Sequence, residues 1–426
     1  MRVPTPTVAA AALAAAMLAA CSPGTGSDTG TAQQANDKKI TYVYFTDGPD
    51  EQATRNLISG FEKETGIQVD LQIVPFDNLE QTLQARLSGN NAPDVARLSD
   101  IDPFRDDLLD LNKYQKSALD GVFVDGAKSY TTGKNGELLA VPSDLTMNGP
   151  LINVDQFKKA NVPLPDEQKP WTWTEMVAAA KKVQQVNKTQ YAIAMDVSGH
   201  RFATMLSEFG TDYFTADGKV GLDQTKALAA IKEFADLNNS GAMPKDVWLQ
   251  AGSKYKGAND VFLAGQVPVY ISGNWQVSAF AKDAKFTWAA APNACQERCG
   301  GYPGGKFMVS FKQSKHQALA AQFIAWMNSA KSQTQMCQQA AFLPTRKDLI
   351  SSGITYPSRS TDMNVFLSEI QKTPADTFAN NYSPAFSDTA NAARDELAKV
   401  LAGKDTPEQA VTVIRAAAQK ALEGVK

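Results

Sequence analysis

A run of β-branched and aromatic residues, Ile40 to Phe45, reads as a strand, and apolar and polar residues alternate with a period of two at Val69, Leu71 and Ile73. Between them Leu57, Ile58 and Phe61 recur at helical spacing, with Gly66 just beyond. Period two marks a strand, and spacing of three to four marks an amphipathic helix. A glycine past the last turn is a common helix stop. Strand, helix and strand in this order predict a βαβ unit, and therefore a parallel sheet. Leu79, Leu83 and Leu87 predict the next helix, and Asp94–Leu98 the next strand. Farther along, Val267, Val269 and Ile271 alternate up to a turn expected at Gly273. Asp223 caps a predicted helix carrying Leu228, Ile231, Phe234 and Leu237. Thr172 and Glu175 form a capping box that packs Trp173 at a helix start. Phe307–Phe311 reads as a buried strand, and one helix is expected to carry Phe323, Met327, Ala330, Thr334 and Cys337. Thr377–Phe386 reads as a loop, and Pro407 opens the last helix. The alternation of strands and helices predicts an α/β fold.

The chain begins differently. Arg2 precedes an unbroken apolar run, Val8–Ala20, which ends Leu18-Ala19-Ala20-Cys21. The run is shorter than the roughly 20 residues that span a bilayer, and it fits the apolar segment of a secretory signal at 1–20. Its end resembles a bacterial lipobox. That resemblance implies cleavage before Cys21 and attachment of a fatty-acyl anchor to its thiol. Residues 21–38, rich in Gly, Ser, Thr and Asp, read as a flexible tether. The expected location is the outer face of the cell membrane.

Charge narrows the partners. The 426 residues hold 42 basic and 45 acidic side chains, a formal net charge of −3. Neither nucleic acid nor a polybasic membrane contact is expected from this balance. The two histidines, His200 and His316, lie far apart, and no metal site or cofactor is expected. Three cysteines remain besides Cys21. Cys295 and Cys299 bracket a polar, Gly-rich loop and are expected to pair outside the cytoplasm, leaving Cys337 buried; a Cys295–Cys337 bridge is the rival.

In α/β proteins ligands sit beyond the carboxyl ends of the strands. Asn274 and Trp275 follow the predicted strand 267–272, and an indole there can lie flat on the C–H face of a sugar. Asp100 and Asp47 follow two other strands, where carboxylates can accept hydrogen bonds from vicinal hydroxyls. Each also fits a purely local role, in a turn for Asp47 and as a helix cap for Asp100. Catalytic motifs are missing. There is no G-x-S-x-G and no Walker loop, and Ser253-x-x-Lys256 has no K-T-G companion. A secreted glycoside hydrolase remains the alternative from another class, because it needs only two carboxylates.

Several segments carry a family resemblance: Asn91-Ala92-Pro93-Asp94-Val95, Val141-Pro142-Ser143-Asp144, Leu151–Ala160, Pro170–Met176, Gly273-Asn274-Trp275, Gly304-Gly305 and Leu343-Pro344-Thr345-Arg346. In order and spacing they resemble the extracellular solute-binding proteins, family 1, of carbohydrate ABC importers. Ile152 and Asn161 depart from the usual tyrosine and glycine. The resemblance implies a periplasmic-binding-protein-like (Venus flytrap) fold, with two lobes joined by crossover hinge strands. On that pattern residues 39–145 plus 290–340 form one lobe and 146–289 plus 345–426 the other. It implies a monomer that delivers a mono- or oligosaccharide to transmembrane permease subunits. The implied ligand contacts are Asp47, Asp100, Asp144, Trp248, Asn274, Trp275, Gly304, Gly305 and Arg346. Within the same family a glycerol 3-phosphate or glycerophosphodiester ligand is the alternative, because Lys306 and Arg346 offer cations for a phosphate.

If Cys21 carries the lipid, Cys21→Ser moves the protein from the membrane fraction to the soluble fraction while ligand binding persists. Retention of Cys21→Ser in the membrane fraction would refute the anchor.

Overall fold

Strand pairing organises the molecule. The computed structural model describes residues 38–46 and 50–424; the leader, Cys21, the tether up to residue 37 and Asp47 lie outside that range. Among the described residues the strands are β1 (Lys39–Tyr44), β2 (Gln68–Ile73), β3 (Val95–Leu98), β4 (Val141–Asn153), β5 (Ile193–Met195), β6 (Val269–Gly273), β7 (Trp288–Ala290) and β8 (Pro303–Ser310). They run β2-β1-β3-β8-β4-β6-β5 across a mixed sheet, with β7 also paired to β4. β2, β1 and β3 are parallel, as are β5 and β6, whereas β8 and β4 run antiparallel to their neighbours.

Period-two patterning explains how β1 is buried on both faces. Ile40, Tyr42 and Tyr44 join one apolar cluster with Leu57, Ile58 and Phe61 of the helix Asp50–Thr65 and with Phe323 and Ile324. Val43 and Phe45 point the other way, into a second cluster with Leu79 and Leu83. A third cluster gathers β5 and β6 residues with the helices Trp173–Asn187, Gln224–Asn239, Phe386–Leu401 and Pro407–Gly424. Ala291, Ala294 and Tyr302 also pack in that third cluster.

β4 is shared. Val141–Met147 pair with β8, from Val141↔Met308 to Met147↔Pro303. From Asn148 to Ile152 the partner is β6, and Leu151–Asn153 also pair with β7. The exchange occurs where β8 begins with Pro303, which has no N–H to donate. Side-chain amides pair with β4 backbone groups at this exchange. Asn274 Oδ1 accepts from Met147 N at 2.9 Å, and Asn293 Nδ2 donates to Asn148 O at 2.9 Å. Asn274 Nδ2 also donates to Ala341 O. Asn274, expected to touch ligand, is instead fully buried in this backbone work.

Other expectations change in detail. Gly273 has extended φ of 178°, not the left-handed turn anticipated. Glycine is required there for space: a Cβ would sit 2.0 Å from the Trp275 ring and 2.7 Å from Met147 O. The stretch read as a loop contains the helix Ala375–Asn381. The helix around Cys337 is two helices, Gln317–Met327 and Ala330–Ala340, with Ser329 capping the second. Thr172 and Glu175 form the full capping box, and Trp173 is buried. A Cys295–Cys299 disulfide closes its loop, and Cys337 is a buried free thiol.

Asn274→Ala strips Met147 N of its acceptor, and a buried donor left unpaired costs about 1–3 kcal/mol. Urea unfolding of the ligand-free variant should show that loss; wild-type stability would mean that the strand exchange does not need the amide.

Candidate functional site

The carboxyl ends of β3, β5 and β6 converge on a cavity of about 610 Å³. β3 delivers Ser99 and Asp100. β5 leads into the helix Gly199–Glu208, whose first turn places His200 and Arg201 there. β6 delivers Trp275 and Gln276, through a short turn at Asn274–Gln276. The shared strands supply the floor, with Thr146 of β4 and Gly304, Gly305 and Lys306 of β8. Tyr130, Phe342, Asn381, Tyr382 and Phe386 complete the walls. The volume falls within the range of about 300–1,000 Å³ usual for small-molecule sites.

Trp275 is half-buried, and the Arg201 guanidinium carbon lies 4.2 Å from its ring centroid. Arg201 Nη1 donates to Asn148 Oδ1 and, at 2.7 Å, to His200 Nδ1. His200 Nε2 faces two oxygens, Pro303 O at 3.1 Å and Asn381 Oδ1 at 2.9 Å. Two acceptors at Nε2 and a cationic donor at Nδ1 define one tautomer, a neutral imidazole with its proton on Nε2. Burial, then the Arg201 charge, pushes its pKa down to about 3. Burial also lowers the Arg201 pKa, to about 10, against the pull of Asp196, so the guanidinium keeps its charge at neutral pH.

Opposite, Tyr130 donates its hydroxyl to Asp100 Oδ1 at 2.5 Å, and Asp102 N donates to the same oxygen at 2.9 Å. The Tyr130 ring stacks on Tyr382, with centroids 5.6 Å apart, so an aromatic wall backs the carboxylate. Gly304 and Gly305 fit a tight strand contact: a Cβ on either would come within 2.6 Å of Thr146 Oγ1 or 2.5 Å of Asp144 O.

Of the expected ligand contacts, Asp100, Trp275, Gly304 and Gly305 therefore meet in one cavity. Asp144, Trp248, Asn274 and Arg346 do not line it, and Asp47 lies outside the described residues. Asp144 is buried against Arg97, with Oδ2 3.1 Å from Nη2; Arg97 also donates to Phe45 O and stands 3.6 Å from Asp50. Trp248 packs edge-on against Phe234, with centroids 4.7 Å apart, in the third cluster. Arg346 turns to Asp348 and to Asn328 O. Of the two cations offered for a phosphate, Lys306 lines the cavity and Arg346 does not. The sequence reading missed His200 and Arg201. The strand-end rule that found Trp275 applies to them as well, but β5 is only three residues long and was not recognised. Among the described residues no cluster of metal ligands is present, and no helix is long and apolar enough to cross a membrane.

Comparison with known proteins places this architecture. The family profile described as bacterial extracellular solute-binding protein matches residues 56–358. The chain belongs to that family. It is 25% identical over 336 residues to the arabinooligosaccharide-binding protein of Bacillus subtilis (strain 168), covering 75% of this chain and 76% of the relative. In structure it resembles the cyclic alpha-maltosyl-1,6-maltose binding protein from Arthrobacter globiformis, at a TM-score of 0.74 and 21% identity, over 91% of this chain and 99% of the other. The GacH receptor of Streptomyces glaucescens gives a TM-score of 0.73 at 23% identity, with the same coverage. The fold is thus the two-lobe α/β fold of solute-binding proteins.

Asp144→Ala would leave Arg97 buried with one carboxylate fewer, and removing one partner of a buried ion pair costs about 3–5 kcal/mol. Thermal and urea unfolding should show that loss, with ligand affinity of the folded variant near wild type. A large affinity loss at unchanged stability would return Asp144 to the site.

Proposed function

We propose that this protein is the ligand receptor of a carbohydrate ABC importer and binds an oligosaccharide in the 610 Å³ cavity. The observation that carries the reading is the pairing, in one cavity, of the half-buried Trp275 indole with the Asp100 carboxylate. Sugars present C–H faces to an aromatic plane and hydroxyl edges to acceptors, and the cavity offers both chemistries. Asp100 Oδ1 is already held by Tyr130 and Asp102 N, which fixes the carboxylate for a ligand hydroxyl. The arabinooligosaccharide-binding relative supports a ligand of more than one ring.

The two lobes meet, in this reading, at Met147/Asn148 on β4 and at Tyr302/Pro303 on the return. Ligand that touches both sides favours the closed arrangement, because it binds that state better. The closed form then docks on the permease, and the lipid on Cys21 keeps the receptor at the membrane. Arg346 is diverted to Asp348 while Lys306 lines the cavity, so a phosphate ester is the alternative that the screen below tests. Hydrolysis is disfavoured because Asp100 is the single carboxylate lining the cavity among the described residues, whereas glycosidases use two.

A thermal-shift screen tests the reading, since ligand raises apparent stability by mass action. Arabino- or malto-oligosaccharides should raise the melting temperature, and glycerol 3-phosphate should not. Trp275→Ala should then weaken calorimetric affinity by about 2 kcal/mol or more, the scale of an aromatic anchor. Its ligand-free melting temperature should change little. Wild-type affinity in Trp275→Ala would remove the indole from the site.

A further inference from the structure

Arg201 also lines a second, small chamber of about 10 Å³. Met176 and Ile271 give it apolar walls, and Trp173, Arg201, Glu208 and Asn293 give it polar ones. Three side-chain atoms on its lining are buried without a hydrogen-bond partner: Trp173 Nε1, Arg201 Nε and Glu208 Oε2. Trp173 is 3% exposed and Glu208 4%. Arg201 Nε stands 3.8 Å from Asp196 Oδ2, too far for a hydrogen bond. Buried polar groups left unpaired are costly, and native interiors pair nearly all of them. A chamber of roughly 10–15 Å³ with two to four polar partners suits one water.

We propose that one water occupies this chamber and that Glu208, acting through it, is a positioning residue for Arg201. The donor count agrees. Trp173 Nε1–H and Arg201 Nε–H both donate to the water oxygen, and the water donates to Glu208 Oε2. Burial, and then the charge of Glu369, raises the Glu208 pKa well above the carboxylate range. Burial thus works against a second charge in the chamber. Arg201 is then held at all its working edges. Nη1 is fixed by Asn148 and His200, Nε by the water, and the guanidinium plane is left against Trp275. The chamber sets the orientation of a residue in the ligand cavity without touching ligand.

The test uses the full-length mature protein and three readouts. A high-resolution crystal structure of the ligand-free protein should show one water bonded to Trp173 Nε1, Arg201 Nε and Glu208 Oε2. A dry chamber, or a direct Arg201–Glu208 contact that closes it, overturns the proposal. Glu208→Leu fills the chamber and expels the water; its crystal structure should show Arg201 displaced from the Trp275 face. Glu208→Gln, neutral and of equal size, should keep both the water and the stack. Arg201 unmoved in Glu208→Leu overturns the positioning role. Glu208→Met serves if the leucine variant does not fold. The affinity readout rests on the saccharide reading: Glu208→Leu should weaken binding about tenfold, the equivalent of one lost buried hydrogen bond, and Glu208→Gln should not. If wild type binds no saccharide, that reading fails alone, and the two crystallographic readouts still decide this one.

Discussion

Backbone pairing on β4 is the constraint from which the site follows. A strand must give its N–H and C=O groups partners along its whole length, because unpaired groups in the interior are costly. β4 meets this with β8 over its first half and with β6 over its second. At the exchange the partner strand changes, and Asn274 and Asn293 give Met147 N and Asn148 O side-chain amide partners. The discontinuity separates the carboxyl ends of β3 from those of β5 and β6, and the cavity lies in that separation. The buried amides and the open cavity are two consequences of one break in the sheet.

Charge is divided between the two sides of this break by burial. Arg97, Asp144 and Asp50 are sealed in the interior near β1 and β3, where their charges satisfy one another. Such groups are costly to separate, so they fix structure and stay out of ligand chemistry. Arg201 is treated differently. Its ion-pair neighbour, Asp196, is held by Tyr270 and Ser272 hydroxyls. Its other contacts are neutral: an imidazole, one side-chain amide and an indole face. The cation therefore keeps electrostatic reach into the cavity instead of being cancelled.

The fold was legible where period and context agreed. Ile40–Phe45, the 57–61 helical face and Val69–Ile73 could be read because a βαβ unit repeats two patterns in a fixed order. The candidate cavity was legible at Trp275 and Asp100, which line it and stand at the ends of readable strands. It was not legible at β5, whose three residues carry no period. Nor can residue type separate Asp100 from Asp144, or Trp275 from Trp248. Each pair has the same chemistry, and only packing decides which member is sealed: Arg97 claims Asp144, and Phe234 claims Trp248. Asn274 shows the same limit. Its position beside Trp275 suggested a ligand contact, but Met147 N and Ala341 O, far away in sequence, claim its amide for the backbone.

Arg201 also shows why one side-chain type is demanded at such a junction. A lysine would bring the same charge, yet its ammonium is a point donor without a plane. The position asks for three things in three directions: a forked edge toward Asn148 and His200, a separate N–H toward the chamber, and a flat face toward Trp275. Only a guanidinium supplies all three at once, and its rigidity means that fixing one edge fixes the others. The His200 tautomer completes the logic. With its proton committed to Pro303 O and Asn381 Oδ1, Nδ1 must accept, so the arginine is held by an acceptor that carries no charge. The strand start at Pro303, the helix end at Asn381 and the cavity-lining stack on Trp275 are thereby joined through two adjacent residues at the mouth of one helix.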